Sequence, residues 1–416
     1  MLLINRPEYL EKLKSWQGQI ELIKIVTGVR RCGKSFLFTI FQNNLRSDGI
    51  GDDQILHINL ELNENEELLN SKKLHSYVLA NLSPNKINYV FLDEIQLVPD
   101  WQRTVNSLRL HPNIDVYLTG SNAHMFSSEL ATLIGGRYVE IKMLPLSFRE
   151  YVIGTGSHAD DLQAKYDRYI NESGFPQTVA FSGNKQMIND YLLDTVYLNT
   201  MQKDVVQRFK IKEPARLDNV VRYMFDNIGN ETSLRKIADR LKADGIGISP
   251  TTLDNYIQGL LDSYLIYKCD RWDIKGKTIL QPNPKYYAVD MGLRTALLGR
   301  PDTDVGHMLE NIVYLELLRR GYKVYVGKVK GRVINNTETS SIEVDFVAAK
   351  AGGEIEYYQV AWSVLNDNPK TLHRELASLE AIKDNFPKYL LTMDYGSGMT
   401  DGIKRLNVLQ WLMGEL

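Results

Sequence analysis

The sequence predicts an α/β protein whose N-terminal part folds around a parallel β-sheet. Short apolar runs alternate with stretches whose apolar residues recur at helical spacing, and small or charged polar residues follow the apolar runs. Ligands of such sheets bind at the carboxyl ends of the strands. The predicted strands are 21–28, 53–60, 87–93, 114–120 and 138–143, and the predicted helices are 34–46, 65–82, 99–110 and 122–133.

The first strand is followed by a glycine-rich segment, TGVRRCGKSFLF, at residues 27–38. It fits the pattern G-x-x-x-x-G-K-S/T, in which backbone N–H groups and a helix N-terminus surround a triphosphate. Lys34 is expected to reach the β- and γ-phosphates, and the Ser35 hydroxyl to bind Mg²⁺. The alternative is a chance match in an ordinary strand-to-helix turn. The residues predicted to line the nucleotide are Gly28, Val29, Arg30, Arg31, Cys32, Gly33, Lys34, Ser35 and Phe36.

The third predicted strand ends in two acids, within INYVFLDEIQLV at residues 87–98. Its apolar run is typical of a buried parallel strand. Asp93 is predicted to hold the Mg²⁺ ion with its water shell, and Glu94 to polarise the attacking water. The alternative is a strand that leaves the sheet through two solvated acids.

The fourth predicted strand, IDVYLTGSNA at residues 114–123, ends in small polar residues. Ser121 or Asn122 is predicted to lie beside the γ-phosphate and to sense it. Serine and asparagine are also common helix caps, and that reading stays open for each of them.

These motifs and their spacing resemble an AAA-type ATPase of the AAA+ superfamily. The segments GRYVEIKMLPLSFREY and YINESGFPQTV resemble a bacterial and archaeal group that pairs such an ATPase with a C-terminal domain of unknown function, DUF4143. The resemblance implies ATP and Mg²⁺ as ligands. It also implies that Arg137, just before the fifth core strand, acts as an arginine finger on a neighbouring chain of a homo-oligomer; a structural salt bridge is the alternative.

The resemblance covers nearly the whole chain of 416 residues, and together with the pattern of predicted elements it suggests four parts. These are a P-loop ATPase core at 1–150, a helical lid at 151–212, a winged-helix module at 213–280 and a DUF4143-like domain at 281–416. The segment NPKYYAVDMGLRTALLG, near the last boundary, is interpreted as a connector.

The third part has the helix, turn, helix and strand order of a winged helix, in TSLRKIADRLKADG and ISPTTLDNYIQGLLDSYLIYKCDRW. Four basic residues lie on the first of these helices: Arg235, Lys236, Arg240 and Lys242. The second helix is expected to expose mainly neutral residues: Thr251, Thr252, Asn255 and Gln258. Because phosphates need positive charge, DNA binding and protein docking both stay open for this part.

The last part resembles the restriction-endonuclease-like PD-(D/E)xK fold. Glu310 falls on its first helix, Asp345 at the end of a strand and Gln359 on the next strand. Metal-dependent cleavage of this type needs acids and a group that activates water. An amide at 359 and Ala361 stand where the acid and the lysine of the motif would be, so we expect a domain that binds a partner or nucleic acid without cutting it.

Two features of the same part qualify that expectation. A lysine from elsewhere, such as Lys328 or Lys330, could replace the missing one. A local run of basic residues forms either a solvated face or a nucleic-acid surface: Arg319, Arg320, Lys323, Lys328, Lys330 and Arg332.

Composition limits the classes of function that the protein can have. The net charge is −2, so any nucleic-acid surface must be a local patch. Cys32 and Cys269 are the only cysteines, which favours a reducing cytoplasm over a disulfide framework, and no zinc spacing is present. No apolar run approaches a membrane span. The sequence thus predicts a cytoplasmic ATP hydrolase that switches conformation and acts on DNA; the alternatives are a nucleotide-gated protein-binding switch and an ATP-dependent nuclease.

Overall fold

The computed structural model of the protein describes residues 4–123, 134–156, 161–181, 183–299, 304–332, 339–365 and 369–415. The chain divides into two compact units. The first unit consists of residues Met1–Pro145, Phe175–Ala180 and Asp262–Tyr264. The second consists of Leu146–Gly174, Phe181–Leu261 and Leu265–Leu416.

The first unit is built on a parallel sheet of five strands in the order β2-β3-β4-β1-β5, which confirms the predicted α/β core. Its strands are β1 (Ile23–Thr27), β2 (Ile55–Asn59), β3 (Asn88–Asp93), β4 (Ile114–Gly120) and β5 (Tyr138–Lys142). Its helices are α1 (Pro7–Ser15), α2 (Lys34–Ser47), α3 (Ser71–Ala80) and α4 (Trp101–Arg109), with a short helix at Pro176–Val179. Short 3₁₀ turns lie at Asp52–Gln54, Asn63–Leu69 and Ile95–Leu97.

Two predicted helices need comment. The single helix expected over 65–82 is wrong, because the chain forms the 3₁₀ turn and then α3. Asn70 separates them, since its side-chain oxygen accepts the backbone N–H groups of Lys72 and Lys73, each at 3.1 Å, as an N-cap does. Most of the helix expected over 122–133 lies outside the described residues.

The pairing register of the core brings the polar strand ends together. Thr27 at the end of β1 is level with Gly120 at the end of β4, and Asn59 at the end of β2 is level with Asp93. All residues of β1, β3 and β4 are buried, as expected for parallel strands covered on both faces. The motifs of the sequence therefore share one edge of the sheet.

The buried strands also contain an ion pair that their apolar appearance hides. The Lys24 ammonium on β1 donates a hydrogen bond to the Asp115 carboxylate on β4. Asp115 also accepts the Gly18 N–H and the Tyr117 hydroxyl, each at 2.9 Å. Burial lowers the pKa of Lys24, while the Asp115 charge opposes that change.

The second unit begins with helices. They are α5 (Phe148–Gly154), α6 (Leu162–Glu172), α7 (Lys185–Asp190), α8 (Pro214–Asp226), α9 (Leu234–Ala243), α10 (Pro250–Asp262), α11 (Met291–Leu298), α12 (Val305–Arg319), α13 (Pro369–Glu380) and α14 (Val408–Met413). After α7 the chain continues through π-helical turns, Tyr191–Leu198 and Met201–Val206, and a last α-helical turn, Gln207–Phe209.

An eight-stranded sheet follows, in the order β12-β13-β11-β10-β9-β8-β6-β7. Its strands are β6 (Ile266–Asp273), β7 (Thr278–Ala288), β8 (Lys323–Arg332), β9 (Thr339–Ala349), β10 (Ile355–Ala361), β11 (Lys388–Thr392), β12 (Gly398–Thr400) and β13 (Ile403–Asn407). The segment interpreted as a connector is instead part of β7 and α11. The hairpin β6–β7 continues this sheet because β6 pairs in parallel with β8. In the described part of the chain, no helix has the length and apolar character that crossing a membrane requires.

Candidate active site

The glycine-rich loop connects β1 to α2 and depends on its two glycines. Gly28 has a φ of 147°, and a Cβ atom there would overlap the Met143 carbonyl oxygen. Gly33 has a φ of 105° and lies immediately before the first residue of α2. Both angles are ones that residues with a side chain rarely adopt. The loop therefore delivers the N-terminus of a 14-residue helix to the carboxyl edge of the sheet.

Lys34 is buried and lies folded over this loop. Its ammonium group donates to the carbonyl oxygens of Gly28 at 3.0 Å and Val29 at 3.2 Å. The same nitrogen lies 3.9 Å from Oε1 of Glu94. A buried cation is thus held between the loop and the carboxylate that the sequence assigns as the base.

Arg6 fixes the other side of the loop, and the sequence reasoning did not identify it. Its guanidinium group donates to the carbonyl oxygens of Cys32 at 3.1 Å and Leu144 at 2.8 Å, and it lies over the ring of Tyr9. The Tyr9 hydroxyl accepts the Leu144 N–H at 3.1 Å. The contact joins residues 26 positions apart along the chain, so sequence spacing gives no signal for it.

The other predicted loop residues differ in exposure. Val29 and Cys32 are buried, and burial raises the pKa of the Cys32 thiol, which disfavours a reactive thiolate. Arg31 and Phe36 are exposed, and Ser35 is half-buried. Arg30 lies 3.5 Å from Glu61. Their contacts with a nucleotide stay predictions.

Asp93 is the last residue of β3, and its two carboxylate oxygens differ in their hydrogen bonding. Oδ1 accepts the hydroxyl of Thr119 on β4. Oδ2 is buried and has no hydrogen-bond partner among the described residues. A buried carboxylate oxygen of this kind is normally completed by a cation, a water or a donor. Because Mg²⁺ prefers oxygen ligands, Asp93 fits the ion that the sequence predicts there.

Glu94 follows in a left-handed conformation, with a φ of 55°. Its backbone N–H donates to the Thr119 hydroxyl at 2.8 Å, so one threonine holds both acids in place. The Glu94 carboxylate accepts a hydrogen bond from the Gln96 side chain, which also reaches Ser121 at 3.4 Å. The structure thus brings Lys34, Asp93, Glu94 and Ser121 together at one edge. Asn122, which follows Ser121 beyond the end of β4, is also buried.

Arg137 lies at the opposite edge of the same sheet. Its carbonyl oxygen accepts the N–H of Ile23, the first residue of β1, at 3.1 Å, and its side chain is exposed. The loop begins at the other end of β1, on the order of 13 Å away at ~3.3 Å per residue. The structure therefore does not bring Arg137 to the Lys34 site of its own chain.

A second polar cluster lies in the second unit, around the predicted degenerate nuclease-like residues. Glu310 on α12, Asp345 on β9 and Gln359 on β10 are all buried. The Gln359 side-chain oxygen accepts the Asp345 N–H at 3.3 Å. Burial, followed by the negative charge of Glu310, raises the pKa of Asp345. The sequence placed Asp345 at a strand end, which is wrong: it lies within β9, where the β8–β9 register shifts at a bulge.

A lysine does enter this cluster, but it is not one that the sequence suggested. Lys285 on β7 lies 3.0 Å from Glu310 and 2.6 Å from Glu343. Burial opposes its charge, but the two glutamates outweigh burial and raise the pKa of Lys285. Lys328 instead pairs with Glu343, at 2.9 Å, and with Glu231. The described residues contain no group of three or more His, Cys, Asp or Glu side chains arranged to hold a metal.

Several residues of the basic run in this unit are engaged in ion pairs and do not form an open basic surface. Arg319 is buried and pairs with Glu316 at 3.0 Å. Arg320 pairs with the same glutamate at 2.9 Å and lies over the ring of Trp411. With Lys328 also paired, three members of the run are engaged inside the unit, whereas Lys323 is exposed. The side chains of Lys330 and Arg332 lie outside the described set.

The four basic residues of α9 are exposed. Arg235 and Arg240 each lie near an aspartate four residues ahead, at 3.8 Å and 3.4 Å. Exposed pairs of this spacing contribute little, so these arginines can exchange their partners. On α10, Thr251, Asn255 and Gln258 are exposed and Thr252 is half-buried.

Comparison with known proteins identifies two segments. Residues 21–152 match the family described as an AAA domain. Residues 163–304 match a domain of unknown function, DUF8612. The expected DUF4143 is therefore not confirmed.

Two relatives match along almost the whole chain. An uncharacterised protein of Haemophilus influenzae is 37% identical over 99% of this chain and 99% of its own length. An uncharacterised protein of Methanocaldococcus jannaschii is 30% identical over 92% of this chain and 85% of its own. Among solved structures, the Walker-type ATPase PABY2304 of Pyrococcus abyssi has a similar fold. It has a TM-score of 0.50 and 16% identity, over 71% of this chain and 95% of that one.

Proposed function

This chain belongs to the same protein family as its Haemophilus influenzae and Methanocaldococcus jannaschii relatives and carries an AAA domain, and on that basis we propose that it binds and hydrolyses ATP. The observation that carries the proposal is the convergence of Lys34, Asp93 and Glu94 at one strand edge. A buried lysine at the N-terminus of a helix, beside two carboxylates, supplies a phosphate-binding cation, a metal ligand and a group that orients water, which are recurring parts of phosphoryl-transfer sites.

In this proposal each residue has one task. The loop and Lys34 bind the β- and γ-phosphates and neutralise their charge. Glu94 accepts a proton from the attacking water, and Ser121 and Asn122 lie near the γ-phosphate. Ser35 and Asp93 would hold Mg²⁺, which when bound supplies positive charge that stabilises the transferring phosphoryl group.

In this proposal Arg137 acts on the ATP that is bound by a neighbouring chain. Its exposed side chain lies on the edge of the sheet away from its own Lys34. An arginine in that position can stabilise transition-state charge only across an interface between two copies, so we propose a homo-oligomer with composite sites.

Hydrolysis would drive a conformational switch that acts on DNA. The proposed modules are the ATPase core to residue 150, a helical lid to 212, a winged-helix module to 280 and a nuclease-like domain after it. The 280/281 boundary falls inside β7, so the last two modules share the eight-stranded sheet. DNA contact is assigned to the exposed lysines and arginines of α9, with α10 beside them.

A protein client is the second candidate. It is favoured by the internal pairing of Arg319, Arg320 and Lys328, because those charges are not free for phosphates. The two candidates differ in their response to salt. DNA affinity falls steeply with salt, by a slope of about 0.9 per phosphate contact in a logarithmic plot.

The test combines ATP turnover with salt-dependent binding. ATPase rates are measured with and without DNA and RNA, and duplex DNA affinity is measured over a range of salt. In the variant Lys236→Gln/Lys242→Gln, on α9, the DNA proposal predicts weaker binding and a smaller salt slope. The matched control Lys72→Gln/Lys73→Gln changes two exposed lysines of α3 and should bind as the wild type does. Stimulation by neither nucleic acid, with no salt-dependent binding, would favour the protein client.

A further inference from the structure

Gln96 contacts both Glu94 and Ser121 in the candidate active site, and the sequence analysis assigned it no role. We propose that Gln96 is a positioning residue for ATP hydrolysis, which fixes the Glu94 carboxylate so that Oε1 is the oxygen that accepts the water proton. This inference rests on the proposed ATPase function and concerns the same site.

The backbone places Gln96 firmly. Glu94 leaves β3 in a left-handed conformation, and the 3₁₀ turn Ile95–Leu97 begins at once. The turn is closed by the Leu97 N–H, which donates to the Glu94 carbonyl oxygen at 3.1 Å. Ile95 is fully buried and fixes the turn to the core. The Gln96 side chain is half-buried and returns toward the carboxyl edge of the sheet.

The Gln96 amide nitrogen has two hydrogen atoms and two acceptors within reach. It donates to Oε2 of Glu94 and lies 3.4 Å from the Ser121 hydroxyl oxygen. A glutamine amide can donate to both at once, whereas a carboxylate or a thioether in its place can donate to neither. Gln96 therefore links the proposed base to the proposed γ-phosphate sensor.

The hydrogen bond from Gln96 determines which carboxylate oxygen of Glu94 remains available to accept a proton from water. The terminal torsion of a glutamate is broad, so an unrestrained carboxylate exchanges its two oxygens freely. Here Oε2 is held by Gln96, and Oε1 is the oxygen that lies 3.9 Å from Lys34. Since Lys34 is the proposed phosphate ligand, Oε1 faces the side where the attacking water must lie. Such orientation contributes to rate without adding affinity.

The carbonyl oxygen of the same amide is also significant. Oε1 of Gln96 is buried and has no hydrogen-bond partner among the described residues. A buried carbonyl oxygen is normally completed by a donor, and a water molecule is one that fits between polar groups. Gln96 thus offers a buried acceptor that a water molecule could complete.

The test uses Gln96→Met, which keeps the length of the side chain and removes both donors, and Gln96→Glu, which keeps its shape. Both should lower kcat by about ten- to a hundredfold, part of the ~10²–10⁴ that a general base contributes. KM and the affinity for a non-hydrolysable ATP analogue should change less than about threefold, because positioning acts on the chemical step. Gln102→Met, a half-buried glutamine on α4, is the matched control and should behave as the wild type.

A double-mutant cycle separates positioning from a merely structural effect. If Gln96 acts through Glu94, then Gln96→Met in a Glu94→Gln background should cost no further activity. An additive loss, an unchanged kcat or a faster kcat in Gln96→Met would overturn the inference, the last because Gln96 would then be a brake. Thermal unfolding and the affinity for the ATP analogue show whether Gln96→Met folds. If it does not fold, the kcat of Gln96→Glu tests the inference instead. A wild type without ATPase activity would instead refute the proposed function itself.

Discussion

Lys285 and Glu310 form a buried ion pair in the second unit, with Nζ 3.0 Å from Oε1. The Tyr287 hydroxyl donates to the same oxygen at 2.6 Å. A metal-dependent nuclease would use Glu310 and Asp345 to bind its metal ion. Here an ammonium group already supplies the positive charge beside Glu310. Lys285 comes from β7, so the hairpin β6–β7 contributes directly to this cluster.

The first prediction is that this cluster does not cut nucleic acid. Linear, branched and single-stranded DNA and RNA should stay intact in Mg²⁺ or Mn²⁺, with and without ATP, because the neutral Gln359 replaces a metal-binding acid and the Lys285 ammonium is already paired with Glu310 and Glu343. Cleavage that disappears in Asp345→Ala would refute this and make an ATP-dependent nuclease the leading function.

The second prediction concerns the stability that the pair provides. Lys285→Met should lower the free energy of unfolding by about 3–5 kcal/mol, because Glu310 would remain buried without an opposite charge, with only the Tyr287 hydroxyl as a donor. Lys285→Met/Glu310→Gln should recover part of that loss. The exposed Lys323→Met is the control and should change stability by less than about 0.5 kcal/mol. Denaturant unfolding measures all three, and equal effects of the two single lysine variants would contradict the assignment.

The third prediction is an acid-sensitive loss of stability at Glu343. Burial favours its neutral form, but Lys285 and Lys328 outweigh burial and lower the pKa of Glu343 from 4.5 to about 2. A carboxyl with a depressed pKa stabilises the fold above its unfolded value and loses that contribution as the pH falls. Glu343 therefore loses its stabilising contribution as the pH falls through the window from about 4.5 to about 2.

Glu343→Gln tests this window through unfolding measured at several pH values. The variant should be less stable than the wild type at pH 7, and the two should converge toward pH 2. The exposed Glu64→Gln serves as the control for a surface carboxyl. A constant difference between Glu343→Gln and the wild type across the window would show that the carboxylate does not titrate with folding.

The fourth prediction concerns Arg137. Arg137→Ala should bind ATP normally and hydrolyse it slowly, because an arginine finger acts in the transition state. Mixing it with Lys34→Ala should restore activity, since mixed interfaces pair an intact site with an intact arginine. Subunit exchange must be shown in the same mixture. No recovery with proven exchange would leave Arg137 as a structural residue of its own chain.

The fold of the AAA domain was predictable because its signals are local. The glycine pattern, the apolar strands and the polar residues after each strand are all contiguous in sequence. A parallel sheet then brings Lys34, Asp93 and Glu94 to one edge without further information. Even the arginines of α12 carried a local signal, since Glu316 precedes Arg319 and Arg320 at helical spacing.

The remaining features depend on distant pairing, which sequence spacing does not encode. Arg6 reaches Leu144 across 138 positions, and Lys285 lies in a segment interpreted as a connector. Lys24 lies within an apolar strand and its partner Asp115 lies on β4, so its sequence neighbours give no sign of the pair. Asp345 looked like a strand end because an acid in a buried strand is rare unless a bulge and a partner accommodate it.

The central claim is tested most directly by measuring ATP binding and turnover side by side in three proteins. The wild type should bind and hydrolyse ATP, and Lys34→Ala should bind it much more weakly because the phosphates lose their cation. Glu94→Gln should bind ATP as the wild type does and turn it over about a hundredfold more slowly, as loss of a general base predicts. A Glu94→Gln protein that hydrolyses ATP at the wild-type rate would contradict the account.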